Sequence, residues 1–267
     1  MNTVPAGCGW KWVVTGFALF RKKPAMWAFL VFSYIMLMQL LGMIPLLGWL
    51  AATVLIPVFS ASFMIVSREL DQGKKLGFAL LFSGFRSNLP ALLTQGGLYL
   101  ASALAILGLS ALVDGGALWR LMMLGERPPA QALEDGSLAE AAALAGTLYL
   151  PVLAAFWFAP ALSAWRNLPA VQALFYSFFA SMRNWRAFLA YGLAVVLLGL
   201  ICSFALFVLA LLLRGLLGDK SQNAFLLIVL PVMLTYVPTL FASFYASYRD
   251  IFPPDAAPVP AQGRETP

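Results

Sequence analysis

Histidine does not occur in this sequence, and its absence closes off much of ordinary enzymology. Ser-His-Asp and Cys-His relays need an imidazole to take and return a proton. Zinc sites built with histidine, and haem held by histidine, need its ring nitrogens. Cysteine is almost as scarce: Cys8 precedes the first apolar stretch and Cys202 lies inside a later one. That pair offers neither a disulfide framework nor a Cys-rich metal site. No Gly-x4-Gly-Lys-Ser/Thr run is present, which removes ATP binding through a P-loop. No metal, no cofactor and no catalytic residue is therefore expected.

Charge is also in short supply. Only 10% of the residues are Asp, Glu, Lys or Arg, and 62% are apolar, where a soluble domain carries about a quarter charged residues. A chain of 267 residues with so few polar side chains cannot cover a water-facing surface, so its solvent is lipid. The net charge of +6 does not point to nucleic acid, because the basic residues sit at the ends of apolar runs and not along one polar face.

What is abundant is uncharged length. From Pro24 to Ser67 no residue is charged, about twice what one helix needs to cross a hydrocarbon core of about 30 Å. Gly42, Pro45 and Gly48 break that run into two helices, about 25–44 and 47–67. Further uncharged runs cover 87–113, 141–165, 187–213 and 221–248, which makes six spans. Pro90 opens the third, where a missing N–H costs nothing. Ser137-Leu138-Ala139-Glu140 reads as a capping box for the fourth. The first run is too long for a signal-peptide core. The proline-rich stretch 253–267 cannot pack a core and is expected to be a disordered cytoplasmic tail.

Thirteen of the seventeen Lys and Arg residues fall on one side of this topology: Lys11, Arg21, Lys22, Lys23, Arg68, Lys74, Lys75, Arg86, Arg166, Arg183, Arg186, Arg249 and Arg264. Basic loops stay in the cytoplasm, so both termini are placed there. Trp27, Trp49, Trp165 and Trp185 sit at span ends, where an amphipathic ring favours the headgroup level; Trp157 does not.

Three amphipathic stretches lie between the spans, all on the basic side. Trp10, Val13, Phe17 and Phe20 share one helical face, as do Phe78, Leu81, Phe82 and Phe85, and as do Val171, Leu174, Phe175, Phe178 and Met182. Such helices can lie in the membrane interface with their aromatic residues down. They also echo one another: Phe17–Phe20–Arg21, Phe82–Phe85–Arg86 and Phe179–Met182–Arg183 share a spacing. A longer echo joins two inward spans, since Pro57-x3-Ala61-Ser62-Phe63-x4-Arg68-Glu69 matches Pro238-x3-Ala242-Ser243-Phe244-x4-Arg249-Asp250. The expected fold is all-α: one membrane domain, 1–252, of six transmembrane helices plus three cytoplasmic interfacial helices. It divides into three parallel pseudo-repeats, about 9–69, 76–167 and 169–250.

No Asp, Glu, Lys or Arg falls inside a span, which weakens a proton-coupled mechanism. Gln39, Thr94, Gln95 and Thr235 read as hydrogen-bonding glue between helices, and Gly97–Ala101–Ala105, Ala155–Ala159–Ser163 and Ala242–Ala246 as close-packing seams. Pro57, Pro160 and Pro238 sit within inward spans, where they kink a helix or free carbonyls toward a cavity. The acids of the outer loop 114–140 flank Pro128-Pro129 and a helix start, and read as a solvated loop.

Three arginines close the inward spans: Arg68, Arg166 and Arg249. Two have an acid beside them, Glu69 and Asp250. One reading makes all three helix-end cations that snorkel toward anionic lipid. The other makes them a set that receives an anionic lipid headgroup, because guanidinium grips phosphate bidentately.

Gly9-Trp10-Lys11-Trp12, Gly16-Phe17, Leu19-Phe20-Arg21-Lys22 and Pro24, with Phe158-Ala159-Pro160-Ala161-Leu162, Arg183-Asn184-Trp185 and Ser247-Tyr248-Arg249-Asp250-Ile251-Phe252, resemble a family of six-span inner-membrane proteins of Gram-negative bacteria. The chain is also distantly similar to the membrane domain attached to some glycerophosphodiester phosphodiesterases, whose soluble catalytic domain it lacks. The resemblance implies fold and location and carries no activity. The expected function is non-enzymatic: organising or handling lipids, or serving a protein partner as its membrane subunit. A small transporter or channel for an uncharged or lipidic solute is the alternative. Membrane lipids, anionic phospholipid among them, are the expected partners, and nucleic acid is not.

Overall fold

A computed structural model describes residues 1–45, 47–218 and 221–253. The regular structure among them is helical throughout. In chain order the α-helices are α1 (Cys8–Lys22), α2 (Pro24–Gly42), α3 (Leu47–Asp71), α4 (Leu89–Asp114), α5 (Ala117–Leu124), α6 (Ala130–Glu134), α7 (Ser137–Phe156), α8 (Ala159–Arg166), α9 (Ala170–Arg183), α10 (Trp185–Leu217) and α11 (Ser221–Ile251). A 3-10 helix covers Phe78–Arg86. Six stretches are long and apolar enough to cross a membrane, and they are the six expected from the uncharged runs. The expected tail lies, apart from Pro253, outside the described residues.

Local chemistry sets the ends of these spans. Asn88 caps α4, its side chain accepting from the Ala91 N–H at 3.4 Å, with Pro90 in the first turn. The fourth span is two helices in line, α7 and α8, because Pro160 has no N–H to continue the ladder. Helix α9 satisfies the groups left over. Ser177 Oγ accepts from the Phe158 N–H at 2.9 Å and donates to the Ala154 carbonyl at 2.9 Å, while Ser181 Oγ donates to that same carbonyl at 3.1 Å. The capping box does not form. Gly136 takes a left-handed conformation (φ 78°), which makes Ser137 the first helical residue and not the cap. Its N–H donates instead to the Asp135 carboxylate at 2.9 Å, and that hydrogen bond holds the carboxyl below its ordinary value.

Small residues make the closest packing. A Cβ on Gly9 would strike the Ala187 carbonyl of α10, and one on Gly16 the Thr239 carbonyl of α11, so α1 lies backbone-close to both. Gly84 of the 3-10 helix lies in the same way on the Val58 carbonyl of α3, and its N–H donates to Ser62 Oγ at 2.9 Å. Val58 and Ser62 follow Pro57 at the intervals at which Thr239 and Ser243 follow Pro238, so the two echoing spans each receive a basic-side helix at corresponding positions. Helix α9 turns Ala173, Ser177, Ala180 and Ser181 inward, and its serines bind α7 as described.

The outward faces of these basic-side helices differ in detail from the sequence expectation. On α1, Val13 and Phe20 of the expected lipid face are buried, together with Trp12, while Trp10, Val14 and Phe17 are exposed. The glycines explain this: they give α1 a flat side that packs into the bundle, and a count of large apolar residues does not see it. On α9, Val171, Phe175, Phe179 and Met182 form the exposed stripe. Trp27, expected at the headgroups, is fully buried and stacked on Phe63 with ring centroids 6.3 Å apart. Gly97 has open space where a close-packing seam was expected. Its neighbour Gly96 is the residue against α3, on the Val54 carbonyl. Gln95 fixes that face of α4 by donating to the Ala159 carbonyl at 3.2 Å and to Ser163 Oγ at 2.8 Å.

Candidate functional site at the basic end of the bundle

The inward spans converge at the end of the bundle that carries most of the Lys and Arg. There Arg68, Arg166 and Arg249 line one cavity of about 440 Å³, with Asp71, Gln72, Trp165, Tyr245 and Tyr248 among the other walls. Three arginines separated by most of the chain are thus brought together around a common space, and do not point apart into surrounding lipid.

Each arginine closes one inward span and reaches to another. The Arg68 guanidinium of α3 lies over the Trp165 ring of α8, 5.2 Å from its centroid. That of Arg166, ending α8, lies over the Phe252 ring just past α11, at 5.6 Å. Arg249 of α11 reaches back to α3, where Nη1 donates to Asp71 Oδ2 at 2.9 Å, and it also lies 6.0 Å from the Tyr245 ring centroid. Contacts between a guanidinium and an aromatic face are each worth about 0.5–2 kcal/mol. Here they also hold three flexible side chains at the cavity wall.

The acid that serves this cluster is not one of the two adjacent in sequence. Glu69 pairs with Lys74 at 2.9 Å, and Asp250 accepts from the Trp12 indole N–H at 2.9 Å. Among the described residues, Asp71 is the carboxylate lining the cavity: it takes Arg249, the Tyr245 hydroxyl at 3.0 Å, and Lys22 of α1 at 3.8 Å. Asp71 is three residues from Arg68, hence on the same face of α3, and that spacing was the available sequence signal. The aromatic partners carried no such signal, since Trp165 reads equally well as a headgroup-level ring.

Below the cavity the bundle closes with aromatic rings. Phe63 stacks on Phe241 with centroids 4.2 Å apart, and Phe158 meets Tyr248 and Phe252 edge-on. A second, mid-membrane hollow of about 190 Å³, lined by Pro57, Tyr99, Trp157, Pro160 and Phe244 among others, shares no lining residue with the cavity. Along α3 the two are separated by Phe63, Met64, Val66 and Ser67, all buried. Among the described residues no group of three or more Cys, Asp or Glu could hold a metal ion.

Six apolar spans, small-residue seams and ionisable groups gathered at one end define a polytopic, all-α, integral membrane protein. The chain belongs to the family of a probable inner membrane protein of Burkholderia thailandensis, to which it is 40% identical over 255 residues, covering 93% of this chain and 92% of that one. A multi-pass position in the inner membrane follows. No family model matches the chain, and no solved structure matches it.

Proposed function

We propose that this is a non-enzymatic inner-membrane protein that organises or handles lipids, or serves a protein partner as its membrane subunit, and that the arginine cavity is where it receives an anionic group, a phospholipid head. The observation that carries this reading is the convergence of Arg68, Arg166 and Arg249 on one cavity. Snorkelling cations would gain most by spreading into the headgroup layer, and three like charges repel unless something negative sits among them. Asp71 supplies one such charge from within the protein. The cavity end is cytoplasmic by its excess of Lys and Arg, and both termini lie there.

The chain is read as three parallel units, 9–69, 76–167 and 169–250, within a single membrane domain, 1–252. The matched contacts at Val58/Ser62 and Thr239/Ser243 support this, as does each arginine's reach to another inward span. The closed aromatic layer beneath the cavity favours a receiving site over a transport path.

Replacing all three arginines by lysine keeps charge and topology but removes the bidentate fork. Anionic phospholipid retained through detergent purification should then fall several-fold while circular dichroism and the elution profile stay those of the folded protein. Unchanged lipid content in the folded triple variant would refute the site.

A further inference from the structure

On the lipid-facing side of the bundle, α1 crosses the crevice between α10 and α11. Gly9 seats it on the Ala187 carbonyl of α10 and Gly16 on the Thr239 carbonyl of α11. Beneath that crossing the two spans leave a groove of about 530 Å³. Among the described residues its lining shares nothing with the arginine cavity, so its occupant is independent of the anion reading above. We infer that the groove binds one acyl chain of a membrane phospholipid, held as a ligand and not as part of the fluid lipid around the protein.

The walls follow from helical spacing. Val195, Leu198 and Cys202 share one face of α10, and Pro231, Thr235 and Thr239 one face of α11. Trp10, Val14 and Phe17 of α1, all exposed, make the third side. The hydroxyl groups in this lining are turned to the protein. Thr235 donates to the Pro231 carbonyl at 2.9 Å, and Thr239 to the Thr235 carbonyl at 2.7 Å. The Tyr236 hydroxyl joins α11 to α10 by donating to the Val195 carbonyl at 3.1 Å. No charged side chain lines the groove among the described residues. Water needs two or more polar partners to stay in such a space, and an empty groove leaves its walls without dispersion contacts on the open side. Hydrocarbon meets neither penalty.

Length and rim point to a phospholipid in particular. From Pro231 to Leu240 the groove follows α11 for about 14 Å at the helical rise. That is about half of a hydrocarbon core of about 30 Å, the depth that the chains of one leaflet fill. At the rim, the Arg21 guanidinium lies over the Phe17 ring, 5.2 Å from its centroid, and the exposed Lys11 follows Trp10. Both rings line the groove, so an apolar channel has cations set beside it on the basic side of the membrane. An amphiphile with a phosphate at one end and a hydrocarbon chain at the other answers both features. A second protein helix would account for the groove and not for the cations.

The test uses the full-length protein in nanodiscs of phosphatidylcholine, doped with a phosphatidylcholine whose acyl chain ends in a diazirine. Adducts formed on irradiation are located by peptide mass spectrometry. Leu197 and Leu200 are exposed on the neighbouring face of α10, whereas Cys202 is half-buried, and Leu200 lies only about 3 Å from Cys202 along the helix axis. Fluid lipid alone would therefore label the two leucines at least as strongly as the groove. A bound chain should label Leu198, Cys202 and Thr235 severalfold more than Leu197 and Leu200. Cys202→Phe, which puts a ring into the groove, should remove that excess and leave one phospholipid fewer on the protein in native mass spectra. Val195→Phe should do the same from further along α10, and Leu200→Phe on the outer face should do neither. Equal labelling of the two faces overturns the inference, as does an excess that survives both filling variants in folded protein. Absent groove labelling, with chain-to-chain crosslinks at Cys202 in its place, overturns it too and assigns the groove to a second copy.

Discussion

Helices α3 and α10 are both apolar enough to span the bilayer, and α10 is the more hydrophobic of the two. Yet half of the most apolar stretch of α3 is buried in the bundle and none of that of α10. In water the order would be reversed, because apolar surface gains by leaving solvent. In a bilayer the lipid tails are as apolar as leucine, and hydrophobicity gives a helix no reason to choose protein over lipid. Helix α3 is drawn inside by other features: Gly84 and Gly96 let neighbouring backbones approach it, Ser62 accepts from the Gly84 N–H, and Phe59 and Phe63 build a layer of rings. Among the described residues, helix α10 has such contacts in its first half, where Ala187, Tyr191 and Ala194 are buried, and beyond them it presents Leu197, Leu200, Ile201, Phe204 and Phe207 outward.

The comparison breaks if close backbone approach is not what holds α3, and the adjacent glycines of α4 test that most severely. Gly96→Val would drive a branched side chain into the Val54 carbonyl, which no rotamer avoids, whereas Gly97 faces open space. The first change should cost about 1–3 kcal/mol or more, as overpacking does, and show as lost yield of monodisperse protein and a lowered thermal midpoint. Gly97→Val should stay within about 1 kcal/mol of the parent protein. Equal effects would mean that α4 packs in another register.

A smaller effect is expected where polar seams act without close approach. Ser177→Ala with Ser181→Ala leaves the Ala154 carbonyl and the Phe158 N–H without the partners they have at the α7–α8 break. A buried polar group left unsatisfied costs about 1–3 kcal/mol. The double variant should therefore lower the thermal midpoint by more than either single change, since either serine can still reach Ala154. A double variant as stable as the parent would mean that the break is satisfied from elsewhere.

These contacts also show which features the sequence discloses. The six spans are legible because charge is excluded from lipid, so uncharged length reports them directly. The gathering of Arg68 and Arg249 is foreshadowed by the Pro57 and Pro238 echo, which places both at one distance past a buried proline. The Asp71–Arg249 pair is not legible, because it joins the ends of helices far apart in the chain, and the nearer acids Glu69 and Asp250 are the more obvious candidates. The Gly97 seam lies one residue off: its four-residue spacing to Ala101 and Ala105 is complete, and it takes the contact of Gly96 with Val54 and the hydrogen bonds of Gln95 to Ala159 and Ser163 to reveal that the neighbouring face is the one turned inward.

The smallest expected effect makes the sharpest contrast. Leu200 of α10 is 63% exposed in the isolated chain, and in the membrane that surface meets acyl chains. A buried leucine truncated to alanine in a soluble core costs about 2–5 kcal/mol, because a cavity is left that its surroundings cannot fill. At Leu200 the surroundings are fluid and fill the space, so Leu200→Ala should leave the thermal midpoint in nanodiscs unchanged within a few tenths of a kcal/mol, roughly the scale of an uninvolved surface change. Membrane insertion is insensitive as well, since the removed methyl groups contribute only about half a kcal/mol on the insertion scale and the rest of α10 is strongly apolar. A marked loss of stability on Leu200→Ala, at protein concentrations where the parent is one species, would show that this face of α10 is packed against protein. The contrast with α3 would then be one between two buried helices, with the partner of α10 a second chain.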